Sequence, residues 1–164
     1  MDEEKMWRAA LSLTAGWLWK RVKSLFKKKP LPFEEIKRQA NILVIDDEPL
    51  DGLLTGIRTS GWNINQVKDI DNLDAEVLKK ADIIFVDYKN VGTILTASEE
   101  GVGLLKLLKR KYPNKHFIFF SGYAGFIPGY EVHNMADGWI QKHSDLHIYI
   151  ERIEIAAQKV YANR

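Results

Sequence analysis

The 164-residue chain contains no cysteine. That excludes a disulfide framework, a thiolate metal site and a thiol nucleophile, and it fits a reducing compartment. The N-terminal arm also lacks an apolar run of membrane-spanning length. Its uncharged stretch Ala9–Trp19 has eleven residues, against the ~20 needed to cross a bilayer. That stretch has no A-x-A cleavage site and follows the acids Asp2, Glu3 and Glu4, which argues against a signal peptide. No acid occurs between Glu4 and Glu34, and no internal repeat is visible.

What is present describes a globular protein. Apolar residues make up 46% and charged residues 28% of the chain, enough to bury a core and keep a solvated surface. The length suits one domain plus an appendage. The net charge of +2 hides an asymmetry: residues 1–40 carry ten Lys/Arg against five Asp/Glu, whereas residues 41–164 carry fourteen against seventeen. A basic arm (1–29), a linker or short turn of helix (30–40) and a mildly acidic domain (41–164) are therefore expected. In the arm, Trp7, Leu11, Leu18, Val22 and Leu25 fall on one helical stripe over residues 5–27. Tryptophans and lysines on such an amphipathic helix suit contact with an anionic membrane surface. The alternative is docking on its own domain or self-association with a second copy. Nucleic acid is not an expected partner, because the acidic body would repel it.

From Asn41 onward, strands and helices alternate. Ile42–Ile45 is an unbroken β-branched and apolar run that reads, with Asp46, as a strand buried on both faces. Pro49 suits the first turn of a helix over 49–60, closed by Gly61. Residues 62–67 alternate apolar and polar, as an edge strand does. A short helix ends near Lys80, and Asp82–Asp87 is a second buried strand. A loop of about a dozen residues leads to helix 101–111, with Leu104, Leu105, Leu107 and Leu108 on its apolar side. His116–Ser121 is a third buried strand, Gly122–Gly129 opens a poor helix, and Gly138–Lys142 is a short strand. Ser144 or Asp145 caps a last helix to about Tyr161, with Leu146, Ile150, Ile153 and Ala157 facing inward. Five strands alternating with helices make an α/β fold, a parallel sheet with right-handed crossovers in a three-layer α/β/α sandwich.

Four of these strands end in polar groups: Asp46-Asp47, Asp87, Ser121 and Lys142. In a parallel sheet those ends share one edge, where open α/β sheets bind ligands. Asp46-Asp47-Glu48 alone reads equally as a solvated acidic turn. With the other three ends, the set reads as a phosphoryl-transfer site. Asp87 is the nucleophile, Asp46 and Asp47 hold Mg²⁺, and Ser121 and Lys142 contact the phosphoryl oxygens. His116, His133, His143 and His147 show no ligand spacing.

In order and spacing (40 residues from Asp47 to Asp87, 21 from Ser121 to Lys142), these residues resemble the response-regulator receiver domain of two-component signalling. The resemblance covers residues 41–162. It implies a flavodoxin-like sheet in the order 2-1-3-4-5, phosphorylation of Asp87 by a histidine kinase or phosphotransfer protein, and Mg²⁺ ligation by Asp46, Asp47, Asp87 and the Lys89 carbonyl. It also implies that Trp139 is the aromatic residue that turns inward on phosphorylation, although plain core packing is the favoured reading of that ring. The family's Met-Pro pair after the aspartate is missing. The 88–100 loop is long, the Lys89 ammonium would compete with Mg²⁺ if turned inward, and His143 stands where a proline is usual.

The implied function is a cytoplasmic, phosphorylation-dependent protein-interaction switch, not an enzyme. With no output domain after Arg164, it is expected to act through protein contacts, the arm tethering it to the inner face of the membrane or to a partner. A second reading is a pseudo-receiver whose long loop disables phosphotransfer. A third, an aspartyl phosphatase, requires a D-x-D motif that Asp46-Asp47-Glu48 does not supply. Residues 1–29 should bind anionic vesicles, less strongly as salt rises. Cosedimentation unchanged by deleting them excludes this, and a dimer lost on deletion points to self-association.

Overall fold

The computed structural model describes residues 31–122 and 130–162. The arm helix expected over 5–27 lies outside them. Ile42–Ile45 and Ile83–Val86 lie side by side at the centre of the sheet, because neither run has a face that tolerates water. Asn41–Ile45 forms β1, which pairs with β2 (Asn63–Val67) on one side and β3 (Ile83–Asp87) on the other. β4 (His116–Ser121) continues from β3, and β5 (Gly138–Gln141) closes the sheet. All pairings are parallel and the order is β2-β1-β3-β4-β5.

Successive strand residues point to opposite faces, and each face is covered. On one, Ile42, Val44, Ile83, Phe85, Ile118 and Phe120 pack against helices α1 (Phe33–Gln39), α2 (Asp51–Thr59) and α6 (Leu146–Ala162). On the other, Leu43, Ile45, Ile84, Val86, Phe117 and Phe119 meet α3 (Glu76–Lys80), α4 (Glu100–Lys111) and α5 (Tyr130–Met135). The three-layer sandwich is therefore realised, with three helices on each side among the described residues.

Several local expectations change. Within 31–40 the chain takes the helical alternative: α1 buries Ile36 in the core, and Phe33 meets the Trp62 ring edge-on at 6.1 Å. An amphipathic turn beside a buried tryptophan gains more by docking than by solvation. Trp62, placed on β2 by pattern, precedes the strand and is 2% exposed. Pro49 lies outside α2, which begins at Asp51 after Leu50. On α4, Leu107 sits at the margin of the buried stripe, while Gly101 and Gly103 are buried. On α6, Leu146 is 40% exposed and rests beside Gly56 of α2; Tyr149, Ile153, Ala156 and Ala157 face the sheet.

Residues 88–99, between β3 and α4, are packed and bonded. Val91 is fully buried. Asp69, just after β2, accepts the Gly92 N–H at 2.5 Å and the Thr93 hydroxyl at 3.2 Å. Gly92 adopts φ 70°, where a side chain is strained. At the start of α4, Gly101 lies against the end of β3: a Cβ there would stand 1.8 Å from the Asp87 carbonyl oxygen. Gly101→Ala should therefore cost about 3 kcal/mol by forcing α4 off β3, read as a lower denaturant midpoint. A midpoint unchanged from wild type would show that the helix start yields freely.

Candidate functional site

The parallel register carries the four polar strand ends to one edge. Asp46 follows β1, its N–H bonded to the Val67 carbonyl of β2 at 3.0 Å. Asp87 ends β3 opposite Phe120, and Ser121 follows one residue further along β4. Lys142 follows β5, its N–H bonded to the Ser121 carbonyl at 2.8 Å. Asp46, Asp87, Ser121 and Lys142 are all buried.

One ammonium organises the acids. Lys142 Nζ lies 2.8 Å from Asp46 Oδ2 and 3.0 Å from Asp46 Oδ1. It is also 2.8 Å from Glu48 Oε2 and 3.6 Å from Asp87 Oδ2. Burial disfavours the Lys142 charge, but hydrogen bonds to Asp46 and Glu48 and the nearby Asp87 charge outweigh it, holding its pKa above the ordinary lysine value. Burial pushes Asp46 up, against the opposing pull of Lys142. Burial, followed by the Asp46 charge, pushes Asp87 up to about 6, while Lys142 and the N–H groups of Tyr88 and Lys89 pull the other way. Asp87 is thus ionised at neutral pH.

Carboxylate oxygens of Asp46, Asp47 and Asp87 lie within 4.8 Å of one another. Among the described residues, Asp46 Oδ2 is buried and meets the Lys142 ammonium in an ion pair at 2.8 Å without a directed hydrogen bond. Hard anionic oxygens at this separation fit a small divalent cation. The Lys89 ammonium does not enter this group: its ion-pair partner among the described residues is Glu100 at 3.8 Å, and it lies 5.2 Å from the Tyr88 ring centroid. The expected competition with Mg²⁺ is absent from this arrangement. Trp139 is 39% exposed on the edge strand β5, so it is not the core residue that one reading expected.

The structure adds residues that motif reading passed over. Glu48, noted only as a third acid, grips Lys142. Gln66 clamps the β1–α2 turn, its Nε2 donating to the Asp46 and Glu48 carbonyls at 2.9 and 2.6 Å. Asn90, at φ 56°, donates to Asp47 Oδ2 at 3.2 Å. Tyr149 donates from α6 to the Lys142 carbonyl at 2.7 Å. A polar residue on an otherwise apolar helix face was the one sequence signal for Tyr149; Gln66 and Asn90 offered none.

No protein-family model and no curated protein matches the chain. Solved structures do. A CheY-like receiver domain protein from Methanospirillum hungatei JF-1 is 21% identical, with a TM-score of 0.60 over 76% of this chain and 98% of that one. A Burkholderia pseudomallei response regulator, solved with a phosphorylated aspartic acid, calcium ion and citrate, is 24% identical, with a TM-score of 0.54 over 76% and 72%. HP1043, an orphan response regulator of H. pylori, is 17% identical, with a TM-score of 0.57 over 74% and 98%. The chain has the receiver-domain fold.

In this receiver fold the raised Asp87 has a consequence for stability. The folded domain retains the Asp87 proton between 3.8 and about 6, where the unfolded chain has released it. Stability should therefore fall as pH rises through that window and level off above it, with Asp46 adding to the same slope. Denaturant melts without divalent cation should show this slope in wild type and a flatter one in Asp87→Asn. Equal slopes would mean that Asp87 titrates normally.

Proposed function

We propose that the domain is a phosphoacceptor switch in two-component signalling, with Asp87 as acceptor and Mg²⁺ held by Asp46, Asp47, Asp87 and the Lys89 carbonyl. The observation that carries this reading is the convergence of three carboxylates on one rim beside a buried ammonium. An ionised Asp87 oxygen attacks the phosphorus of the donor. The bond from phosphorus to the donor breaks, and its electron pair stays on the donor's leaving nitrogen or oxygen. Bound Mg²⁺ supplies neutralisation of the charge on the phosphoryl oxygens. Lys142 and the Ser121 hydroxyl contact those oxygens, and burial of Asp87 limits access of water to the acyl phosphate.

The donor on this reading is a histidine kinase or phosphotransfer protein, and the output is a changed protein-binding surface around Trp139, not turnover of an external substrate. No helix among the described residues is long and apolar enough to cross a membrane. A cytoplasmic location, with the basic arm as a peripheral tether to the inner membrane face, suits the proposed kinase partner.

One feature favours a second reading, an interaction module that is never phosphorylated: the loop after Asp87 is anchored by Asp69 and walls one side of the rim. The two readings separate in one experiment. A small acyl-phosphate donor with Mg²⁺ should label the wild-type protein with an acid-stable, base-labile phosphate and leave Asp87→Ala unlabelled. Absence of label in wild type, or equal label in both, would overturn the acceptor role and leave the interaction module.

A further inference from the structure

The Lys142 ammonium is shared unequally. It is within hydrogen-bond distance of Asp46 and of Glu48 and stands off from Asp87 at 3.6 Å. Asp46 is buried and belongs to the acidic group itself. Glu48 does not: its carboxylate is 67% exposed, and it lies outside the three acids that approach one another. An exposed glutamate would ordinarily be free to sample many rotamers. This one is aimed by its backbone. Its N–H is bonded to Asp46 Oδ1 at 2.9 Å and its carbonyl to Gln66 Nε2 at 2.6 Å. Both ends of the residue are held, and the side chain projects over the rim to Lys142. Tyr149 fixes the other partner through the Lys142 carbonyl.

We infer that Glu48 is a positioning residue that holds Lys142 off Asp87 until a phosphoryl group arrives. This rests on the reading of Asp87 as phosphoacceptor. In the unphosphorylated domain the Glu48 pair leaves the Asp87 oxygens less encumbered by the ammonium. A phosphoryl group on Asp87 brings new anionic oxygens to the rim, and Lys142 must give up Glu48 to reach them. Glu48 therefore opposes the phosphorylated arrangement by roughly the strength of one partly exposed ion pair. A shorter carboxylate at this position keeps the charge but loses the reach, so charge and position separate experimentally.

The test uses the full chain with Mg²⁺ and beryllofluoride, a phosphoryl mimic, comparing wild type with Glu48→Gln and Glu48→Asp by calorimetry. Both variants should bind beryllofluoride about two- to fivefold more tightly than wild type, the range for loss of one exposed ion pair. Mg²⁺ affinity should fall only in Glu48→Gln, which removes a negative charge from the rim. Tightening in Glu48→Gln alone would assign the effect to charge and overturn the positioning role, as would unchanged affinity in both variants. A wild type that takes up Mg²⁺ but no beryllofluoride would instead remove the acceptor reading of Asp87, and this inference with it.

Discussion

Three aspartates brought to one rim of a sheet repel one another, and the Lys142 ammonium is what makes their approach tolerable. Its pairs with Asp46 and Glu48 are short, one partner is completely buried, and Asp87 lies just beyond. Such a cluster is costly to desolvate, and breaking it by removing the cation would leave buried negative charge uncompensated. The same burial and crowding raise Asp87 above an ordinary aspartate while leaving it ionised at neutral pH.

The surrounding structure holds these charges in place. Gln66 on the edge strand fixes the turn that carries two of the acids, and Tyr149 reaches from the opposite helix to the Lys142 backbone. Asn90 extends from the long loop to Asp47, and Asp69 ties that loop to the segment just after β2. The loop is thus bonded at several points.

Much of this was legible before any coordinates. His116–Ser121 appears as a strand with the residues expected, because an aromatic and β-branched run with no polar face has few alternatives. The polar residues at four strand ends predicted a shared edge, and parallel pairing delivered it. Element ends were less legible. Pro49 suits a first helical turn, yet the chain turns at Leu50, since Glu48 and Leu50 are drawn to Gln66. Leu146 fits the inward stripe of α6 by period, but as the first residue of the helix it meets Gly56 of α2 instead. Periodicity describes a helix's own face, not where its neighbour stops.

The amino-acid order alone determined the alternation of strands and helices, the two-sided burial of the central strands and the acids, hydroxyl and lysine that terminate them. These follow from local pattern and from the geometry common to every parallel sheet. Only the tertiary structure decided which of the acids Lys142 holds, that Trp139 stands in solvent at the sheet edge, that residues 33–39 dock on Trp62, and that Glu48 belongs to the site. Each of those depends on distances between residues far apart in the chain. Such distances are fixed by packing and charge balance, which no local pattern records.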